Sequence, residues 1–349
     1  MKEELKLVQY KRKPGEKYDL DFMSLENAKR VQKFHASFPV YRKTPLTELK
    51  KTAEELGLGT VYIKDESYRF GLNAFKVLGG SYAIGNCLAG KLGRNIDEMP
   101  YEELISEKTK KELGEITFVT ATDGNHGRGV AWTANRLHQK AVVYMPKGSA
   151  KERLDNILAE GAEASITDLN YDEAVRLANR QAEEKGWVMV QDTAWEGYED
   201  IPEWIMQGYG TMGYEAYTQL PEKPTHIFLQ AGVVTGFFAS VYGEDRPVIT
   251  IVEPNKADCV FRTAEAADGK LHFVTGEMNT IMAGLACGEP CSIGWNVLRD
   301  YADNFISCPD YMAAQGMRIL GSPVQGDPRV VSGESGAAAF GCVSEIMRD

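Results

Sequence analysis

Between residues 116 and 253, short apolar runs alternate with stretches of helical length, and this regularity limits the chain more than any single residue does. Ile116-Thr117-Phe118-Val119-Thr120 reads as a buried strand, Gly127 to Leu137 as a helix, Ala141-Val142-Val143-Tyr144-Met145 as a strand and Ala150 to Glu160 as a helix. Ala164 to Thr167 (strand), Tyr171 to Lys185 (helix) and Trp187 to Gln191 (strand) continue the pattern, and a longer helix from about Trp204 to Gln219 leads to strands at Thr225–Gln230 and Val248–Glu253. Strands that are apolar at nearly every position need cover on both faces, and helices between them supply it through parallel βαβ units. An open α/β architecture follows. No repeat, heptad or low-complexity linker interrupts it.

At 349 residues, with 43% hydrophobic and 26% charged residues, the chain is long enough for two lobes. No apolar run approaches the roughly 20 residues of a membrane span, and Met1-Lys2-Glu3-Glu4-Leu5-Lys6 lacks the apolar core of a signal peptide. The six cysteines are scattered, which predicts reduced thiols and a cytoplasmic protein. Cys287 and Cys291 have no second pair of finger-like spacing, so no zinc site is expected and no motif demands a metal. A net charge of -11 argues against nucleic acid or anionic membrane as a partner. Residues 1 to about 45 are mixed and polar, and are expected to form an arm. Pro45-Leu46-Thr47-Glu48-Leu49-Lys50 is expected to open a short helix, and the charged stretch from 95 to 115 to form a solvated helical face.

Ligands of open α/β sheets settle beyond the carboxyl ends of strands, where loops feed helix N-termini. Lys76 stands just after the strand-like run Thr60 to Asp65, at the start of a small-residue helix, Gly79 to Gly90. A lysine there suits a Schiff base with an aldehyde cofactor, with burial lowering its pKa and freeing the amine; the plain alternative is a solvated helix lysine. Three loops could complete a site. Thr120 to Gly127 offers backbone N–H groups, an amide at Asn125 and an acid/base at Asp123, or merely an N-cap. Gln230-Ala231-Gly232-Val233-Val234-Thr235-Gly236 has glycines that allow a phosphate to approach the backbone. Gln191 to Glu199 is rich in carboxylates and aromatics, and reads as a substrate wall or a surface loop around Trp195.

In that order, a lysine, an asparagine loop and a glycine loop resemble the fold-type II pyridoxal 5'-phosphate enzymes, the tryptophan synthase β and threonine dehydratase group. Gln207-Gly208-Tyr209-Gly210-Thr211 also resembles a dehydratase segment. Within the group the chain resembles the 2,3-diaminopropionate ammonia-lyases. Five segments carry this likeness: Tyr68 to Lys76, Thr122-Asp123-Gly124-Asn125-His126-Gly127, Gln191-Asp192-Thr193-Ala194-Trp195, Ile281 to Pro290, and Ser332-Gly333-Glu334-Ser335-Gly336-Ala337. Asp123 is the specific mark, since ordinary dehydratases tend to have a hydroxyl residue there.

The resemblance implies two open, mostly parallel twisted sheets flanked by helices. It implies a large cofactor-binding domain (1–85 and 200–349), a small domain (86–199) and a homodimer. It also implies pyridoxal 5'-phosphate held by Lys76 with Phe75, Asn125, Gly232, Val233, Gly236 and Glu334. The implied reaction is α,β-elimination of 2,3-diaminopropionate, D or L, to pyruvate and ammonia, with Lys76 and Asp123 as bases on opposite faces of the substrate. Asp192 is expected to pair with the substrate's distal ammonium, with Thr122 and Asp123 beside it, while His126 is expected to be a packed, hydrogen-bonded histidine. Two departures stand out. The glycine loop is shorter than the family's, and the chain stops at Met347-Arg348-Asp349, inside what reads as a helix, where the family continues with the group facing the pyridine nitrogen. Either the chain is a shortened variant with impaired cofactor binding or residues are omitted, and omission is the expectation, since a strand running straight into Val233-Val234 would leave little to bind phosphate. A serine or threonine dehydratase on the same scaffold, and a non-catalytic ligand-binding α/β protein, are the competing readings.

Overall fold

The computed structural model describes residues 4–12, 15–122 and 124–348. Contacts group the chain into two compact units, one of Met1–Ser24, Thr44–Ser67 and Glu215–Asp349, the other of Leu25–Lys43 and Tyr68–Tyr214. The expected domains, 1–85 with 200–349 and 86–199, have other boundaries than these units.

The strands, in chain order, are β1 (Lys6–Gln9), β2 (Leu46–Glu48), β3 (Tyr62–Lys64), β4 (Thr117–Ala121), β5 (Lys140–Met145), β6 (Glu163–Ile166), β7 (Val188–Met189), β8 (His226–Gln230), β9 (Val248–Pro254) and β10 (Asn304–Cys308). In the second unit, β6-β5-β4-β7 form a wholly parallel sheet, with Phe118 opposite Ala141 and Val188. Four of the five residues of β4 are buried, as its unbroken apolar run requires. The helix Tyr171–Lys185 is fixed at both ends by local chemistry. Asn170 and Glu173 form a reciprocal capping box, and Gly186 closes the C-terminus at a φ of 67°, which only glycine adopts at little cost. Its alanines 174, 178 and 182 pack on Val119, Ala121 and Val142.

In the first unit the order is β1-β10-β9-β8, with β10, β9 and β8 parallel and β1 antiparallel on the edge. The helix Glu334–Ile346 covers this sheet through Ala338, Ala339 and Cys342, packed with Val252, Ile306 and Met312. Both sheets and their flanking helices have the expected α/β form.

Two local expectations are corrected. The segment after Pro45 is not a helix. Leu46–Glu48 pairs antiparallel with Tyr62–Lys64, and helix begins only at Lys50, because the β2–β3 ladder satisfies the backbone first. The first 45 residues are not simply an arm: Lys6–Gln9 is an edge strand, and Leu25–Ala36 is a core helix burying Val31, Phe34 and His35. His35 is fully buried, with Nδ1 2.7 Å from the Thr211 hydroxyl and Nε2 3.0 Å from the Leu78 carbonyl. Among the described residues no helix is long and apolar enough to cross a membrane.

Candidate active site

Lys76 is the first residue of the helix Lys76–Lys91, which begins three residues earlier than the small-residue pattern suggested. The chain reaches it through a tight passage in which Phe70, Gly71 and Asn73 have φ of 50°, 75° and 58°. Glycines let neighbouring backbones close on this helix. A Cβ on Gly129 would lie 2.8 Å from the Val77 Cα, and one on Gly208 would lie 2.4 Å from the Leu78 carbonyl oxygen. Helix start and lysine are thus held by backbone contact.

The ammonium of Lys76 donates to Asp192 Oδ2 at 2.7 Å, and the two side chains are 24% and 16% exposed. The Phe75 and Tyr209 rings lie 5.8 and 5.6 Å from Nζ and meet each other edge to face at 5.0 Å. Asp192 is held from the other side by the amide of fully buried Gln191, whose Nε2 donates to Asp192 Oδ1 at 3.4 Å and to the Tyr171 hydroxyl at 2.9 Å. Its Oε1 accepts from Ala121 N at 3.1 Å and from the Thr120 hydroxyl at 2.9 Å. Because Ala121 N can only donate, the amide has one orientation, and Gln191 ties Asp192 to the end of β4. His126 is buried with Nε2 2.8 Å from the Val190 carbonyl; Nδ1 has no hydrogen-bond partner among the described residues and lies 3.9 Å from Asp192 Oδ2. It is packed as expected, with one nitrogen left over.

Charge in this pocket runs against the expectation for Lys76. Burial does act to lower its pKa, but the Asp192 carboxylate, followed by the Tyr209 hydroxyl, outweighs it, and the lysine is held well above its ordinary value. For Asp192, burial acts to raise the pKa, and Lys76 and then His126 overcome this and hold it well below the usual carboxylate range. The amine is stabilised as an ammonium, not freed. Burial, with the Asp192 charge adding to it, pushes the Tyr209 hydroxyl up against the pull of Lys76.

Thr122 is buried at the end of β4, and its Oγ1 accepts from Gly124 N at 3.1 Å. Its methyl fills the space where Gly127 would carry a Cβ, at 2.2 Å. Asn125 is exposed as the first residue of the helix Asn125–Arg136; the N-cap is Gly124, so Asn125 does not serve as the cap. Asp123 lies outside the described residues.

The remaining expected cofactor residues belong to the first unit. After Gln230 the chain turns sharply, with Ala231, Gly232 and Val234 at φ of 48°, 79° and 62°, and enters the helix Thr235–Tyr242. A β-branched residue in the left-handed region costs about 1–3 kcal/mol, so Val234 is a strained position. Gly232 packs on Leu298, where a Cβ would come within 2.5 Å of a side-chain methyl, and Gly236 is buried against Met23 and Leu20. Val233 is half-buried. Gln230 Nε2 donates to the Gly336 carbonyl, which brings this turn to the segment that starts the helix Glu334–Ile346, with Glu334 half-buried. A Cβ on Gly284 would point at Ser335 Oγ, at 3.1 Å, so the Ile281–Pro290 segment joins them.

These features fit pyridoxal phosphate. In the second unit a largely buried lysine sits among aromatic rings, with His126 Nδ1 left without a hydrogen bond among the described residues. In the first, fully buried Thr235 Oγ1 has no partner among the described residues at the start of the helix after Gly232, as an anion-accepting turn would leave it. Sequence reasoning missed Gln191 as a brace, since an amide beside an aspartate carries no signal by itself. Tyr209 was present in the Gln207–Thr211 segment, but without its role beside Lys76.

The family described as pyridoxal-phosphate dependent enzyme matches residues 38–348. Diaminopropionate ammonia-lyase of Salmonella typhimurium is 54% identical over 330 residues, covering 91% of this chain and 82% of the relative. The Escherichia coli enzyme of the same name is 51% identical over 333 residues, covering 93% and 82%. A crystal structure of holo diaminopropionate ammonia lyase from Escherichia coli matches with a TM-score of 0.91 and 47% identity, covering 99% of this chain and 87% of that one. The chain therefore belongs to the diaminopropionate ammonia-lyases, within the pyridoxal-phosphate dependent enzymes.

Proposed function

We propose that the protein catalyses the pyridoxal phosphate-dependent α,β-elimination of 2,3-diaminopropionate, D and L, to pyruvate and ammonia. The observation that supports this reading most is the 2.7 Å pairing of Asp192 with a primary ammonium, that of Lys76, in a largely buried setting. A carboxylate so placed suits a substrate with a second amino group, since it pairs with a full positive charge where a serine or threonine hydroxyl offers only a hydrogen bond. When bound, pyridoxal phosphate supplies an electron sink for the charge left on Cα.

The chain's own residues take the other tasks in this reading. Lys76 and Phe75 would hold the aldehyde end of the cofactor, Asn125 would hydrogen-bond its ring oxygen, Gly232, Val233 and Gly236 would receive its phosphate, and Glu334 would contribute to holding the ring. Lys76 Nζ accepts the α-proton of the L isomer, and Asp123 accepts that of the D isomer from the opposite face. Asp192, with Thr122 beside it, keeps the distal amino group protonated, so that it leaves as ammonia and not as an amide ion. The same reading makes the protein a cytoplasmic homodimer acting on a small diamino acid; its net charge of -11 suits neither nucleic acid nor an anionic membrane.

The test is an absorption spectrum of the purified protein with pyridoxal phosphate, before and after DL-2,3-diaminopropionate, with pyruvate assayed in the same cuvette. A visible cofactor band that shifts as pyruvate appears is the expected result. A band without pyruvate would replace the enzyme with a binding protein, and pyruvate from serine but not diaminopropionate would make it a dehydratase. Asp123→Asn is expected to lower turnover of the D isomer at least about ten-fold more than that of the L isomer.

A further inference from the structure

We propose that Asp192 is a counter-ion used twice: in the ligand-free protein it latches Lys76 as an ammonium, and once Lys76 is engaged it is released to receive the distal ammonium of the substrate. The first half stands on the 2.7 Å pairing of Lys76 with Asp192; the second rests on the diaminopropionate reading above.

A lysine ammonium on its alkyl stem is chemically the same group as the distal ammonium of a diamino acid. Asp192 Oδ2 already holds one at 2.7 Å, while its Oδ1 accepts from Gln191 Nε2 at 3.4 Å, so Lys76 occupies the oxygen on which a substrate ammonium would bind most closely. Among the described residues, the other titratable groups around the pair are Tyr209 from the helix Asp200–Gln219, His126 from the helix Asn125–Arg136 at 3.9 Å from Oδ2, and Tyr198 from Asp192's own loop. Neither tyrosine carries charge near neutrality, since burial pushes both hydroxyls up, so among the described residues Asp192 supplies the negative charge that Lys76 feels.

Attack on an aldehyde carbon needs the lone pair of a neutral amine. One N–H bond of the ammonium breaks and its proton passes to Asp192 Oδ2. The lone pair then forms the C–N bond, and the aldehyde oxygen leaves as water with the two hydrogens that remain on nitrogen. A carboxylate stabilised in its charged form resists taking that proton, so the ion pair slows capture until the cofactor is seated. It also keeps the ammonium subsite closed to substrate until Lys76 has left. The arrangement enforces an order: cofactor first, diamino acid second.

The deciding experiment is pulse acetylation of the full-length, cofactor-free protein with acetic anhydride between pH 6 and 10. Lys76 modification is quantified by peptide mass spectrometry against exposed Lys140 and Lys151. In the parent, Lys76 should lag the exposed lysines throughout. Asp192→Asn should label Lys76 about ten-fold faster or more near pH 8, because burial is then opposed by Tyr209 alone and a pKa lower by about one gives about ten times more free amine. Asp192→Glu should stay within about three-fold of the parent. Equal or slower labelling of Lys76 in Asp192→Asn overturns the latch, as does a parent in which Lys76 labels as readily as Lys151. If Asp192→Asn also exposes the largely buried Lys64, the variant has opened, and the parent profile together with Asp192→Glu decides. Turnover by the parent after reloading separates the two claims. A latch without pyruvate formation sinks the diaminopropionate reading alone, and pyruvate formation without a latch sinks this one alone.

Discussion

At the scale of residues, the Lys76–Asp192 pair fixes how stability should vary with pH. Asp192 is depressed in the folded state, so its contribution is present above the unfolded value of about 3.9 and is lost as the pH falls through its folded value. Lys76 is raised, so its contribution is present below about 10.4 and is lost as the pH rises through its folded value. The pair therefore stabilises the protein across the whole range between. Asp192→Asn leaves a largely buried ammonium unpaired and should cost about 2–3 kcal/mol, below the 3–5 typical of fully buried pairs because both groups keep some solvent. Urea midpoints of parent and variant should differ most between about pH 4 and 10 and converge below about pH 3.9. A gap that is constant down to pH 2 would mean that the loss is packing, not charge. Lys76→Ala should abolish the visible cofactor band altogether.

At the scale of elements, the Lys76–Lys91 helix is positioned by what its neighbours lack. Gly208→Ala would force a Cβ to 2.4 Å from the Leu78 carbonyl and 2.7 Å from the Gly79 Cα, and should cost about 1–3 kcal/mol while displacing Lys76 and lowering turnover. Gly90→Ala, in the helix itself with nothing within 4 Å, should be neutral or stabilise by up to about 1 kcal/mol. Equal thermal shifts from the two substitutions would refute the close-approach argument.

In the other unit, Glu253 on β9 is a second pH-sensitive element. Its carboxylate accepts from Phe261 N at 2.7 Å and Val260 N at 3.3 Å, capping the helix Cys259–Ala266, yet burial pushes its pKa up to about 8. A raised group contributes stability that is complete below the unfolded value of about 4.3 and is lost as the pH rises through the folded one. Stability should therefore fall between about pH 4.3 and 8, by at most about 1.4 kcal/mol per pH unit, and Glu253→Gln should flatten that slope in urea titrations.

At the scale of the whole molecule, a ligand that binds only the folded state stabilises it by mass action. Pyridoxal phosphate at 100 times its Kd should add about 2.7 kcal/mol and raise Tm, and Lys76→Ala should remove most of that rise. The proposed homodimer should sediment at about twice the chain mass of 38.7 kDa; a monomer in ultracentrifugation at micromolar concentration would refute it.

The architecture was legible in the chain alone, because strand and helix signals are local. The helix Tyr171–Lys185 lies where its pattern predicts, and β4, β5, β8 and β9 fall within a residue or two of the apolar runs that announced them. Lys76, Asn125, Asp192 and the Gly232 loop likewise stood out as positions suited to one chemistry. What stayed open depends on partners far away along the chain. Leu46–Glu48 is a strand because Tyr62–Lys64 lies beside it, and Leu25–Ala36 belongs to a core because the Leu78 carbonyl and the Thr211 hydroxyl receive His35. Above all, the charge on the lysine emerged only from the folded chain. Burial taken alone predicts a free amine, but a carboxylate 116 residues further on stands 2.7 Å away, and at that distance Coulomb attraction outweighs desolvation.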